Sequence, residues 1–339
     1  MWIRITAMVI FMNMIMPLSG ADPAAPPPPA PSGWLLVANK GGHTLGIIDP
    51  EAGREVATIP DGGITGHEVA ASPDGKRAYV PIYGNSGVGA PGTDGSKMTV
   101  MDLETHKAVA TVDFGKGVRP HCAVFGPKNG MLYVTTELNH SISLIDPKTL
   151  KIVGSIPTGQ PESHMMAITP DGRQAYTANV HVGTVSAIDL VHHKVVKIIP
   201  ISKETQRIAI TPNGKLAITA DQTKPQLAVI DTASNTVKTW VALPAIAYGT
   251  APTRDGRWLL VTLPSIAKVG VVDLNTLKLV RTVDVVASPQ EILVRPDDRV
   301  AYVSCDHSAK VAAIDLESWK VAKMIDAGKE CDGLAWARR

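Results

Sequence analysis

Short apolar runs, each ending in Asp and followed by a polar turn, recur seven times along the chain: Ile47-Ile48-Asp49, Val100-Met101-Asp102, Leu144-Ile145-Asp146, Ala187-Ile188-Asp189, Val229-Ile230-Asp231, Val271-Val272-Asp273 and Ala313-Ile314-Asp315. The steps between these aspartates are 53, 44, 43, 42, 42 and 42 residues, which reads as one strand-rich unit copied seven times. Within one copy, residues 164–199, four runs rich in β-branched residues are separated by turn residues: His164–Thr169, Arg173–Asn179, Thr184–Asp189 and Lys194–Ile199. Runs of that length and composition predict four short antiparallel strands, A to D.

The turns carry their own chemistry. Pro73-Asp74-Gly75, Pro170-Asp171-Gly172, Pro212-Asn213-Gly214 and Asp255-Gly256 stand between A and B, where Pro presets one angle and Gly accepts a positive φ. The repeated Asp opens the C–D turn and can accept hydrogen bonds from amides two residues on, so these aspartates are expected as turn formers rather than acids or ligands.

Four-stranded units of this period, arranged radially, form propeller blades. The expected fold is therefore all-β, a seven-bladed β-propeller of four-stranded antiparallel blades. The chain opens on a B-like strand at Trp34 and closes on an A-like strand at Gly333-Leu334-Ala335-Trp336. Ring closure is thus expected from N-terminal strands B, C and D pairing with C-terminal strand A.

Tyr133-Val134-Thr135-Thr136, Tyr176-Thr177-Ala178-Asn179 and Tyr302-Val303-Ser304-Cys305, with their runs to Ile-Asp, resemble YVTN-type β-propeller repeats over residues 34–339. They are distantly similar to the propellers of lactonases and of the haem d1 domain of nitrite reductase. The resemblance implies a seven-bladed ring in an exported protein, and fold alone assigns no function.

Ahead of the repeat, Arg4, the apolar run Ile5 to Met16 and the small residues Ser19 and Ala21 predict a secretory signal over residues 1–21, too short for a stable membrane span. Residues 22–33, with six prolines, predict an extended linker before the propeller at 34–339. The expected location is periplasmic or secreted, with no membrane span after cleavage. Three cysteines, Cys122, Cys305 and Cys331, allow at most one internal disulfide, and Cys305 with Cys331 is the candidate pair. A net charge of +2 gives no basic field for a phosphate backbone, so nucleic acid is not expected as the main partner. A monomer is expected.

Strand A lines the central channel of a propeller. Counting back six residues from the A–B turns places His67, His121, His164, Gln206, Tyr248, Gln290 and Cys331 at one height, followed by Glu68, Cys122, Met165, Arg207, Gly249, Glu291 and Asp332. Three of ten histidines share this register on successive blades, which suits one divalent transition metal, Zn, Cu or Fe. Glu68 or Glu291 is then a candidate base, Arg207 an anion clamp, and Tyr248 a further site residue. The same residues also suit a solvated channel lining. Cys122 is expected to be buried, with a soft copper ligand as the alternative. The insertion from Tyr83 to Gly95 fits either a cap over the channel or a tolerated surface loop.

No Cys-x-x-Cys-His, no Gly-x-Ser-x-Gly and no strand-to-helix phosphate loop is present. Three functions remain: a channel-mouth enzyme, lactonase/hydrolase-like or lyase-like, acting on a small oxygenated substrate; a non-catalytic binding or scaffold protein holding a small molecule or protein on the channel-mouth face; or, from the haem-d1 similarity, an accessory of an exported redox system.

Overall fold

The computed structural model describes Met1, residues 30–85 and residues 87–339. The expected signal segment and most of the Pro-rich linker lie outside the described residues. Pro31–Arg339 form one compact unit of seven four-stranded antiparallel sheets. Blade 1 consists of Cys331–Arg338, Gly33–Asn39, Thr44–Asp49 and Arg54–Pro60, so the two chain ends share a sheet, with Leu35 opposite Trp336 and Val37 opposite Leu334. Blades 2 to 7 follow in order over residues 70–113, 120–157, 163–200, 205–242, 250–284 and 289–326. No helix among the described residues is long and apolar enough to cross a membrane.

Burial follows strand position. In blade 5 the middle strands Leu216–Asp221 and Gln226–Asp231 are buried nearly throughout, because both faces are covered by neighbouring blades. The outer strand of blade 4, Lys194–Pro200, is mostly exposed, and its lysines guard an open edge. The core accordingly lies between blades: Tyr176, Ala178 and Val185 of blade 4 pack with Ile208, Ala217 and Ile230 of blade 5.

The turns form as their residues dictate. Asp102 Oδ1 accepts from the amides of Glu104 at 3.1 Å and Thr105 at 2.7 Å, and the other six repeated aspartates cap their turns the same way. Gly75, Gly172, Gly214 and Gly256 all adopt φ of 71° or 72°.

Strand A holds the feature that the repeat pattern hid. In blade 3 Pro120 faces Thr136 but Ala123 faces Val134, so His121 and Cys122 together oppose Thr135. The same extra residue recurs in blades 1, 4, 5 and 7. Such a bulge breaks the strict alternation of side chains. A Thr or Ser of strand B holds it: Thr135 accepts the Cys122 amide at 2.9 Å and donates to the His164 carbonyl of the next blade at 2.8 Å. Thr262 does the same for Gly249 and Gln290.

This register corrects one sequence expectation. Cys331 pairs with Asn39 as Pro120 pairs with Thr136, so Asp332, not Cys331, stands at the histidine height. The count failed there because the last A strand ends the chain and has no A–B turn to count from. Gly333 follows, with its amide bonded to the His67 carbonyl at 2.9 Å, and a Cβ there would collide with that carbonyl and with Glu68. All three cysteines are free and buried.

Candidate functional site

The A-strand bulges deliver two clusters to the channel mouth. The first comes from blades 2, 3 and 4. The rings of His67 and His121 lie 5.5 Å apart edge to face, and those of His121 and His164 stack at 3.5 Å with 27° between planes. The ring of Tyr83, next to last in strand B of blade 2, stands 5.0, 5.3 and 5.6 Å from His67, His121 and His164. Its hydroxyl donates to both oxygens of Glu137, at 3.0 and 2.8 Å.

The three imidazoles differ in their partners. His164 Nδ1 lies 3.1 Å from Glu137 Oε2, His67 Nε2 lies 3.2 Å from the Thr65 hydroxyl, and His121 Nδ1 is buried without a hydrogen-bond partner among the described residues. Burial drives all three below the usual imidazole range, His67 to about 4, so all are neutral at pH 7. At His164 the Glu137 carboxylate opposes that shift without cancelling it.

The second cluster surrounds Arg207 of blade 5. Its guanidinium touches Glu68 of blade 2 and Glu291 of blade 7 and reaches Asp332 of blade 1 at 3.2 Å, while its face lies 4.8 Å from the Tyr248 ring centre. The Glu291 contact is close without hydrogen-bond alignment. Lys40 stands 3.7 Å from Asp332 and 3.6 Å from Asp306. The anion expected at Arg207 is thus met by the chain's own carboxylates, and the side chain crosses the channel as a plug.

Three carboxylates around one guanidinium leave excess negative charge out of water. Burial pushes Glu68 and Glu291 above the usual carboxylate range, Arg207 pulls the other way, and the neighbouring carboxylates add to the rise. Burial also works against the charge on Arg207, but the surrounding carboxylates outweigh it and hold the guanidinium protonated. Tyr248 is pushed up to about 12, mainly by burial.

All seven proposed site residues therefore lie in these two clusters: His67, His121 and His164 in one, Glu68, Glu291, Arg207 and Tyr248 in the other. Cys122 is buried among Tyr133, Ile142 and Met166. Arg119 and Lys40 carry no signal of their own in the sequence; Asp332 stands there only as a neighbour of the ring, Glu137 only as a residue of the channel-mouth face, and Tyr83 only as the start of the insertion. A second use of the repeat ruler finds three of them, because Lys40, Tyr83, Glu137 and Asp306 share one register, each following the strand-B residue that pairs at the start of strand A.

The donors suit a metal ion better than their placement does. Neutral imidazoles and an unpartnered buried nitrogen fit Zn, Cu or Fe. Stacked rings, however, hold their lone pairs in separate, nearly parallel planes, and no group of three or more His, Cys, Asp or Glu among the described residues is spaced to hold an ion as it stands.

Residues 125–251 match the family model described as Cytochrome D1 heme domain. A seven-bladed beta-propeller protein of Mycobacterium tuberculosis is 30 % identical over 135 residues, which are 39 % of this chain and 31 % of that protein. The chain thus aligns with about a third of the length of that curated relative. Solved structures share the fold, two of them as follows. Hydrazine synthase of Kuenenia stuttgartiensis superposes with a TM-score of 0.68 at 19 % identity, covering 88 % of this chain and 98 % of that one. The dihydro-heme d1 dehydrogenase NirN in complex with DHE gives 0.66 at 16 % identity, covering 92 % and 77 %. The chain folds as a seven-bladed propeller, and its residues 125–251 are similar to the D1 haem domain.

Proposed function

We propose that this exported propeller uses its channel mouth to bind one divalent transition metal through His67, His121 and His164 and to act on a small oxygenated substrate in a hydrolase- or lyase-like reaction. The observation that carries this reading is the cluster of three neutral, buried imidazoles beside carboxyls whose proton affinity is raised. A bound divalent ion supplies Lewis acidity toward a carbonyl or a water molecule. The chain supplies the rest. Glu68 and Glu291, poised above the usual carboxylate range, are suited to hold and return a proton near neutral pH. Arg207 fixes those carboxyls and closes the channel beneath them, and Tyr248 covers the guanidinium.

Loading requires His121 and His164 to leave their stack. Metal analysis of the purified chain, with titration of Zn²⁺, Cu²⁺ and Fe²⁺, tests this reading. About one tightly bound ion per chain, lost in His121→Ala, is expected. No binding of any of the three ions would sink it. The protein is read as a periplasmic or secreted monomer, supported by the leader pattern of residues 1–21; a mature N-terminus at Asp22 is the expected check.

A second reading rests on the match of residues 125–251, a span that includes Glu137, His164, Arg207 and Tyr248, to the D1 haem domain family. Here the channel mouth binds a haem-like macrocycle and the protein serves an exported redox system. Titration with haem, followed by absorption, separates the two: a spectral change abolished in His164→Ala, with no binding of free metal ions, favours the macrocycle.

A further inference from the structure

We infer that Glu137 is a positioning residue that fixes His164 as its Nδ1–H tautomer and leaves Nε2 as that ring's only free acceptor. The Glu137 side chain is fully buried and is approached by donors on every side. Tyr83 donates to both carboxylate oxygens, Arg119 Nη1 stands 3.7 Å from Oε1, and His164 Nδ1 stands 3.1 Å from Oε2. An ionised carboxylate only accepts, so the nitrogen facing it must carry the proton. Neither other channel-mouth histidine is hydrogen-bonded to a carboxylate: His67 faces the Thr65 hydroxyl, and His121 Nδ1 has no hydrogen-bond partner among the described residues.

The positioning extends to the insertion in blade 2. Arg119 Nε donates to Asp94 at 2.6 Å, Nη2 to the Ala90 carbonyl at 2.6 Å, and Nη1 to the Gly87 carbonyl at 3.3 Å, while the guanidinium lies 5.6 Å from the Tyr83 ring centre. The planar fork is thus held by the inserted segment on one side and presented to Glu137 on the other. Arg119 itself sits at φ of 50°, a left-handed turn that precedes strand A of blade 3. The one long insertion therefore serves to hold the group that holds Glu137. In a ligand centre, such an outer carboxylate sets ring orientation and raises the basicity of the inner nitrogen.

The ligand arm of this inference rests on the metal reading above; the tautomer arm does not. Long-range ¹⁵N–¹H correlation spectra of the full chain labelled at histidine, without added metal, read the tautomer directly, with His164 assigned by its loss in His164→Gln. The expected result is a protonated Nδ1 and an unprotonated Nε2. Finding His164 as the Nε2–H form in the unaltered protein overturns the inference before any variant is made. Glu137→Gln, whose amide can donate as well as accept, is expected to shift His164 to a mixture of tautomers, and Glu137→Asp to restore the Nδ1–H form at least in part. If Glu137→Gln does not fold, Arg119→Lys provides the same reading through a weakened carboxylate anchor. Zn²⁺ affinity is expected to fall about 10- to 100-fold in Glu137→Gln. An Nδ1–H His164 in a protein that binds no Zn²⁺ sustains the positioning role and rejects the metal reading.

Discussion

The two sides of the channel mouth solve the burial of polar groups in opposite ways. On the side of blades 2 to 4, three imidazoles shed their charge, and one nitrogen, His121 Nδ1, is left without a partner. Around Arg207, which gathers groups from blades 1, 2, 5 and 7, the guanidinium keeps its charge and is answered internally by Glu68, Glu291 and Asp332. A self-satisfied cluster gains little from a ligand, whereas a buried, unsatisfied polar atom gains more. The histidine side is therefore where a ligand is to be sought, and the charged side is a floor that holds a proton.

The largest expected effect breaks the floor. Arg207→Met leaves Glu68, Glu291 and Asp332 buried without the guanidinium between them, and a loss of about 3–5 kcal/mol in urea denaturation is expected, from the cost of stripping a buried charge of its partner. Arg207→Lys should recover part of it. A loss near zero would mean that the carboxylates are compensated from elsewhere.

Next in size is a pH dependence with opposite signs on the two sides. The Glu68 carboxyl keeps its proton in the folded chain above the pH at which it ionises in the unfolded one. Its contribution is complete at low pH and lost as pH climbs through the raised value. His67 behaves inversely: with its folded value near 4 against the ordinary 6.5, its contribution is complete above 6.5 and lost as pH falls toward 4. Thermal unfolding from pH 4 to 9 should show a maximum, with the alkaline limb flattened in Glu68→Gln and the acid limb flattened in His67→Gln. Limbs that stay unchanged in both variants would remove the contrast.

A smaller effect sharpens it. His121→Leu deletes the unpartnered nitrogen, so stability should rise by about 1 kcal/mol even as binding is lost. A fall of that size instead would place a hidden hydrogen bond on the ring. Smallest is a change outside both clusters: Asp102→Ala should cost about 1 kcal/mol or less, with binding intact, because it removes only local turn hydrogen bonds.

Much of the scaffold was legible because its causes are local. Each repeated Asp caps amides two or three residues on, and each A–B Gly takes its left-handed angle, whatever the rest of the chain does. The shared height of His67, His121 and His164 followed from counting along identical units. The count broke at Cys331, where no turn closes the last A strand, and it gave no hint of the bulges, since an extra residue in one strand is visible only against its partner. Glu137 and Tyr83 lay in plain view at the end of strand B, but 54 residues separate the two groups that bond.

The sequence by itself determined the repeat, the strands, the turns and the closure of the ring, because alternation, β-branching and turn chemistry act within about ten residues and repeat faithfully. Only the tertiary structure decided that Arg207 meets Glu68 across 139 residues and Asp332 across 125, and that one histidine has a carboxylate at its Nδ1 while its neighbour's Nδ1 has no hydrogen-bond partner. Those pairings depend on ring closure and on sub-ångström side-chain placement in a buried channel, where the loss of water makes each partner, present or absent, decisive.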